Sequence, residues 1–276
     1  MAKNSTARNL DQFYTNPEYA KHFLDVIEQN FDLREFDHVL EPSAGSGSFY
    51  NLLDTVQRIG LDLEPKAAGV VKMDFFDWVQ PIGARIATIG NPPFGKNCSL
   101  AVKFFNRAAE FSEVIAFIIP RTFRKASVMN RLNTRFHLVH DETVPDNSFI
   151  FDGVEYNVPC CAQIWVRKDE SRAKVKTYKV AELKAYFEPA KPEDSDFAIQ
   201  RVGGAAGLIR DIDYKSYSTA SHYFFKAHDA RVLPIFKKID FTSVKFNTAG
   251  NPSVSPSELV ELFVATANQN GMSIEL

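Results

Sequence analysis

Three short stretches of this chain carry residue types that chemistry can use. The first is Glu41-Pro42-Ser43-Ala44-Gly45-Ser46-Gly47. Glycines there let the backbone approach a ligand closely, and the start of a following helix offers free N–H groups. The spacing is not the G-x-G-x-x-G of a dinucleotide site, and no Lys-Ser/Thr pair follows as in a phosphate-binding P-loop. Alone, the stretch reads as a tight strand–helix turn. The second is Asp62, about twenty residues on and at the end of the next strand, where an acidic side chain can grip a pair of ribose hydroxyls. Asp74-Phe75 then follows a short third strand and offers an acceptor beside an aromatic face, which suits an adenine ring. Each carboxylate alone serves equally well as a solvated loop residue or a helix cap. Together with the glycine turn they outline an adenosine pocket without a phosphate site.

The third stretch is Ile89-Gly90-Asn91-Pro92-Pro93-Phe94-Gly95. Two prolines fix the backbone direction and remove two N–H donors, so nearby carbonyls face a ligand without a competing donor. The Asn91 side-chain oxygen and the Pro92 carbonyl can both accept from one –NH2 group. That draws the nitrogen toward tetrahedral geometry and aims its lone pair at an electrophile. Phe94 can stack on a flat ring, as aromatics do for extruded nucleotides. The plain alternative is a rigid proline turn.

These stretches need a scaffold. Residues Pro17 to Phe31 read as a helix, with Tyr19, Phe23, Leu24, Ile27 and Phe31 at three- and four-residue steps. Asp37 to Leu40, Arg58 to Leu63, Val70 to Met73 and Arg85 to Gly90 read as strands, with a short helix from Ser48 to Val56. Leu100 to Phe111 is helical, and Val114 to Ile119, closed by Pro120, is a continuous apolar run that suits a strand buried on both faces. Leu138 to Val144 and Val158 to Val166 read as two more strands joined by a polar, aromatic loop. Alternating strands and helices describe an α/β fold with a parallel sheet. Ligands bind such sheets beyond the carboxyl ends of the strands, where all three stretches fall. After Lys168 the texture changes to a charged stretch, 169–200, followed by an aromatic and turn-rich one, 201–276. Residues 1–168 therefore read as the main domain and 169–276 as a smaller accessory unit, with a last helix beginning near Ser257.

The ordered set DQFYTNPEYA, EPSAGSGSF, GLDLEP, MDFFDW and IGNPPFG resembles the motifs of class I S-adenosylmethionine-dependent amino-methyltransferases of the N6-adenine type, over residues 11 to 167. The resemblance implies a Rossmann-like class I methyltransferase fold with a mostly parallel central sheet and S-adenosyl-L-methionine as cofactor. It places Glu41, Ala44, Gly45 and Gly47 at the methionine part of the cofactor. Asp62, with Leu63 beside it, falls at the ribose, and Asp74 with Phe75 at the adenine. Asn91, Pro92, Pro93 and Phe94 become the binding turn for the target amine, with Asn91 also facing the cofactor. Tyr14-Thr15 resembles a cofactor-side Tyr-Thr-Pro motif, interrupted here by Asn16. Phe149 or Phe151 falls where the family has a wall of the target-base pocket. Such transfer needs no metal and no covalent enzyme intermediate, because the sulfonium is already an activated donor, and alignment is the protein's contribution. Asn91 is neutral, so the proton is expected to leave to solvent.

The chain has 276 residues, 45% of them hydrophobic, which fits an ordinary globular protein and not a disordered one. A net charge of -2 argues against a surface that coats nucleic acid throughout, but leaves room for local basic patches. One runs from Pro120 to His137, where Arg121, Arg124, Lys125, Arg131 and Arg135 stand without an acidic residue. Such a group can neutralise backbone phosphates, and its place beyond the apolar strand favours a nucleic-acid partner; the resemblance implies DNA ahead of RNA. An RNA base (adenine N6 or guanine N2), a protein glutamine amide, or a binding module without activity remain open alternatives. Cys98, Cys160 and Cys161 form no C-x-x-C pair, so neither zinc nor a disulfide framework is expected, and the last two read as buried thiols. MAKNSTARNL lacks a signal-peptide core and no apolar run reaches membrane-spanning length, so the expectation is a soluble, cytoplasmic protein without a membrane partner.

Overall fold

The computed structural model describes residues 13–53, 57–151 and 153–276. The stretch MAKNSTARNL, and Asp11 and Gln12 of the first motif, lie outside the described residues. Tyr14–Thr15 is a short strand, β1, followed by helix α1, Pro17–Asn30. The helix starts there because the Asn16 side chain accepts the Glu18 N–H and Pro17 occupies the first turn. Tyr19, Phe23, Leu24 and Ile27 are buried along one face, and Phe31, in extended conformation, ends it one residue before the sequence reading.

The strands that follow are β2 (His38–Glu41), β3 (Arg58–Asp62), β4 (Val71–Lys72), β5 (Ile86–Gly90) and, after helix α2 (Ser99–Ala108), β6 (Val114–Pro120). A short helix α3 (Ala126–Met129) leads to β7 (Phe136–Thr143), β8 (Phe149–Phe151), β9 (Val154–Tyr156) and β10 (Cys160–Arg167). Seven of these form one sheet in the order β4-β3-β2-β5-β6-β10-β7. Pairing is parallel from β4 through β6, and β10 is antiparallel to both its neighbours. This is a Rossmann-like, mostly parallel sheet. Alternate residues of β6 enter opposite cores: Ile115, Phe117 and Ile119 pack with Phe104 and Phe105 of α2, whereas Val114, Ala116 and Ile118 pack with Phe23 and Ile27 of α1. Period-two alternation with both faces covered explains why the whole run is apolar.

Two expectations are corrected. The helix over Ser48 to Val56 is absent from the described part, 48–53, which forms turns. One helical turn starts, with Asn51 N–H donating to Gly47 O and Leu53 N–H to Phe49 O. The Arg58 guanidinium then takes the carbonyls of Tyr50 and Leu53 at 2.9 and 2.8 Å, removing the acceptors a further turn would use. The loop between β7 and β10 is not irregular: β8 and β9 form a hairpin, and β1 adds to it through Tyr14↔Ile150 and Thr15↔Phe149. This three-stranded sheet, β1-β8-β9, rests on a long-range pairing that no local pattern announces.

The chain divides into two compact units, the second from Lys176 to Leu276. That unit holds a four-stranded antiparallel sheet of β11 (Phe187–Pro189), β12 (Phe197–Gln200), β13 (Ile209–Arg210) and β14 (His222–Ala227), in the order β11-β14-β12-β13. Helices α4 (Val232–Phe236), α5 (Thr242–Lys245) and α6 (Pro256–Gln269) complete it. Phe187, Phe197, Phe225, Phe236 and Phe263 share its core. A capping box between Ser255 and Glu258 starts α6.

Phe105 sits fully buried, edge-on to Phe136 and Trp165. Phe105→Ala is expected to destabilise the first unit by about 3–5 kcal/mol, read as a lowered urea midpoint for its unfolding; a midpoint equal to that of the wild type contradicts this packing.

Candidate active site

Strand order reverses between β2, which continues to β3 and β4, and β5, which continues to β6. A crevice is expected beyond the carboxyl ends at such a switch point. A cavity of about 330 Å³ lies there, within the ordinary range of small-molecule sites. The ends of four strands bring Glu41, Asp62, Asp74 and Asn91 to its wall, together with Phe13, Tyr14, Thr15, Ala44, Gly45, Leu63, Phe75 and Pro93.

Glu41 is 2% exposed. Its Oε2 accepts the Tyr50 N–H at 2.7 Å, which folds the loop back over the strand end. Burial pushes its carboxyl well above the usual carboxylate range; the backbone N–H groups of Tyr50 and Phe49 pull it down in part, and the nearby Asp62 charge raises it again. Asp62 is half-buried and fixed from both sides: one oxygen accepts the Gly45 N–H and the other the Glu64 N–H, each at 2.7 Å. Asp74 accepts the Phe76 N–H at 2.9 Å. Its carboxylate is thereby oriented at the cavity wall.

Gly45 shows why the turn needs its composition. It has φ +48, and a Cβ there would lie 2.8 Å from Cε1 of Tyr14. Gly47, at φ +81, does not line the cavity; a Cβ there would meet the Ala67 Cβ at 2.7 Å, so it packs the turn against the loop after β3. Thr15 is 3% exposed, lines the cavity, and its Oγ1 has no hydrogen-bond partner. A buried hydroxyl without a partner costs about 1–3 kcal/mol, and a polar ligand group in the cavity would satisfy it.

The Asn-Pro-Pro-Phe turn is split by the structure. Asn91 and Pro93 line the cavity. Pro92 is buried, and Phe94 is packed partly against the α1-side core. The Phe94 carbonyl accepts the N–H groups of Leu100 and Ala101, so this residue anchors the start of α2. The Asn91 Nδ2 donates to the Phe13 carbonyl at 2.9 Å, and the Asn91 carbonyl accepts from Ser43 Oγ at 3.2 Å.

Several residues that shape the cavity were not singled out in sequence. Phe104, within the helix read over Leu100 to Phe111, stacks on Phe75 with centroids 5.1 Å apart and lines the wall. Phe13 sits against Phe151 and Tyr156 at 5.4 and 5.3 Å. Its position directly before Tyr14-Thr15 was the available signal. Phe149 is fully buried in the core and has no surface for a substrate, whereas Phe151 is half-buried in the aromatic cluster with Phe13.

The basic stretch is largely engaged within the fold. Arg124 grips Asp141 through both carboxylate oxygens and reaches Thr143 Oγ1. Arg121 donates to the carbonyls of Cys160 and Val144. Arg131 donates to Asn97 O and Arg135 to Lys168 O and Asp169. Arg121, Arg124 and Lys125 do not line the cavity. The acidic partners lie outside the stretch, which is why its charge looked unopposed in sequence. Cys98, Cys160 and Cys161 are buried and free. Among the described residues, no group of three or more His, Cys, Asp or Glu could hold a metal ion, and no helix is long and apolar enough to cross a membrane.

No protein-family model matches the sequence, and no curated protein matches it. Solved structures give partial likenesses. A Pyrococcus horikoshii protein proposed to be an RNA methyltransferase is 17% identical, over 57% of this chain and 87% of that one, at a TM-score of 0.45. The 23S rRNA methyltransferase ErmE is 17% identical, over 63% and 75%, at 0.42. A Listeria monocytogenes protein proposed to be a class I S-adenosylmethionine-dependent methyltransferase is 11% identical, over 59% and 63%, at 0.44.

The raised carboxyl of Glu41 has a consequence for stability. The folded protein holds this proton at pH values where the unfolded chain has released it, so stability present below the ordinary carboxyl pKa of about 4.3 falls as pH rises through the folded value. Glu41→Gln carries no such proton. Between about pH 4.5 and pH 8, the variant should therefore gain stability relative to the wild type, compared by urea midpoints at each pH. A constant difference across that range contradicts the buried, protonated carboxyl.

Proposed function

We propose that this chain is an S-adenosylmethionine-dependent methyltransferase whose acceptor is an exocyclic –NH2 group, adenine N6 of a nucleic acid. The observation that carries the reading is that Asn91 shares one cavity with Glu41, Asp62 and Asp74 at a strand-order switch point. Asp62 faces a ribose hydroxyl pair, each of its oxygens keeping acceptor capacity beyond one backbone N–H. Asp74 accepts from an adenine amino group beside the Phe75–Phe104 stack. The Gly45 turn and the unpartnered Thr15 hydroxyl meet the amino-acid end. When bound, the cofactor supplies a methyl group on sulfonium. The residues of the chain do the rest: Asn91 Oδ1, at the cavity wall, would accept an N–H of the acceptor amine and turn its lone pair toward the methyl group. The methyl would pass to the acceptor nitrogen with the S–CH3 electron pair left on sulfur, and with no base at position 91 the ammonium proton would leave to solvent.

A flat heteroaromatic acceptor is favoured over a glutamine amide by the ring of Phe13, which lines the cavity with Asn91 and is backed by Phe151 and Tyr156. Stacking on such a platform is worth about 1–3 kcal/mol per base. DNA is the proposed polymer, with residues 169–276 as its target-recognition region and, if so, Lys125 and the surroundings of Arg121 and Arg124 as backbone contacts.

The test is methyl transfer from labelled cofactor to duplex DNA, single-stranded DNA, RNA and a glutamine peptide, followed by digestion and identification of the product. Labelled N6-methyladenine in DNA is the expected result; label confined to RNA or to glutamine overturns the DNA assignment, and no transfer to any acceptor overturns the activity. Asp62→Ala should raise the cofactor Kd roughly 10- to 100-fold, the loss of about 1.5–3 kcal/mol of charged hydrogen bonding. Asn91→Ala should leave that Kd nearly unchanged and abolish turnover.

A further inference from the structure

The side-chain amide of Asn91 has two ends, and the structure determines which one faces a ligand. Its Nδ2 lies 2.9 Å from the Phe13 carbonyl oxygen. A carbonyl can only accept, so the NH2 end must face Phe13, and Oδ1 is the end left for an acceptor amine. Phe13 lies 78 residues away in sequence and outside the proline turn. Its carbonyl is held in place from two directions. The next two residues are β1, bonded into the sheet with β8. Its own ring stacks on Tyr156 at 5.3 Å and tilts against Phe151 at 5.4 Å.

We propose that Phe13 is a positioning residue for the transfer reaction: its main-chain carbonyl, fixed by the aromatic β1-β8-β9 sheet, sets the Asn91 rotamer and makes position 91 selective for a neutral amide over a carboxylate. The proposal rests on the reading of Asn91 as the acceptor-binding residue. A carboxylate placed there would turn an anionic oxygen toward the Phe13 carbonyl, acceptor against acceptor. It would rotate away and carry the other oxygen out of line with the acceptor amine. Misplacement of about 1 Å at a reacting centre costs on the order of 10²-fold in rate. The protonated carboxyl is different, because its O–H can donate to the Phe13 carbonyl in place of the amide N–H and leaves its C=O facing the amine.

Asn91→Asp therefore becomes a proton-gated enzyme. Its kcat, divided by that of the wild type at the same pH, should be roughly 10²-fold down at pH 8 and should recover steadily as pH falls toward about 5, near the range where a carboxyl protonates. Cofactor Kd, measured by calorimetry at both ends of the range, should stay within about twofold of wild type, which also shows that the variant is folded. Phe13→Leu, which keeps the carbonyl but removes the ring stack, should lower kcat by a larger factor than it raises cofactor Kd. A kcat ratio for Asn91→Asp that is constant from pH 5 to pH 8, or equal to one at pH 8, overturns the proposal, as does a Phe13→Leu enzyme with wild-type kcat. The two readings fail differently. A wild type that transfers methyl groups to amines, with a flat ratio, removes only the role of Phe13. A wild type that transfers to no amine removes both.

Discussion

The reversal of strand order between β2 and β5 is the constraint on which the site depends. In a parallel sheet all carboxyl ends lie along one edge, and helices on the two faces normally close that edge. Where the order reverses, the connections leave in opposite directions and a crevice stays open. Residues as far apart in sequence as Glu41, Asp62, Asp74 and Asn91 reach one cavity because each ends or follows a strand on that edge. The crevice also sets the electrostatics. Glu41 lies on its buried floor, where desolvation favours the protonated form, whereas Asp62 and Asp74 sit at the wall with backbone N–H groups to orient them. Three carboxyl groups thus occupy a small volume without three uncompensated charges.

The loops around the crevice are shaped by side chains that capture main-chain groups. Glu41 takes the Tyr50 N–H, Asp62 takes those of Gly45 and Glu64, and Arg58 takes the carbonyls of Tyr50 and Leu53. The two carbonyls held by Arg58 are acceptors that a continuing helix would have used. This is why the segment after β2 turns instead of coiling, and it leaves room for Tyr50, whose ring covers Gly60 and whose hydroxyl donates to the Gly69 carbonyl.

Local periodicity made the scaffold legible. The continuous run of β6, the four-residue steps of α1 and the placement of small or acidic residues at strand ends all follow from near-neighbour spacing. What stayed illegible depends on partners distant in sequence. The charge of Arg124 was plain, but Asp141, which neutralises it, lies one strand away. Phe94 read as a stacking residue and Phe149 as a candidate pocket wall, but packing places both against the α1-side core. The β1-β8-β9 sheet depends on the register Tyr14↔Ile150, set between segments each too short to show a period.

That small sheet changes what the proline turn can mean. In sequence, the assignment of the Asn91 oxygen to the ligand rests on the chemistry of an –NH2 acceptor, since the prolines do not orient the amide. In the structure the nitrogen is held by the carbonyl of Phe13, the residue before β1, whose ring is fixed by Tyr156 and Phe151. The Asn91 carbonyl is likewise tied, by the Ser43 hydroxyl of the glycine loop. The turn is therefore clamped by the glycine loop through Ser43 and by the segment before β1 through Phe13, so that moving either would move Asn91. Under the proposed function, a residue held in this way would need no ionisation to act. Its contribution would be the fixed direction of one lone pair, which is what in-line transfer to an amine requires of a protein group that is not itself a base.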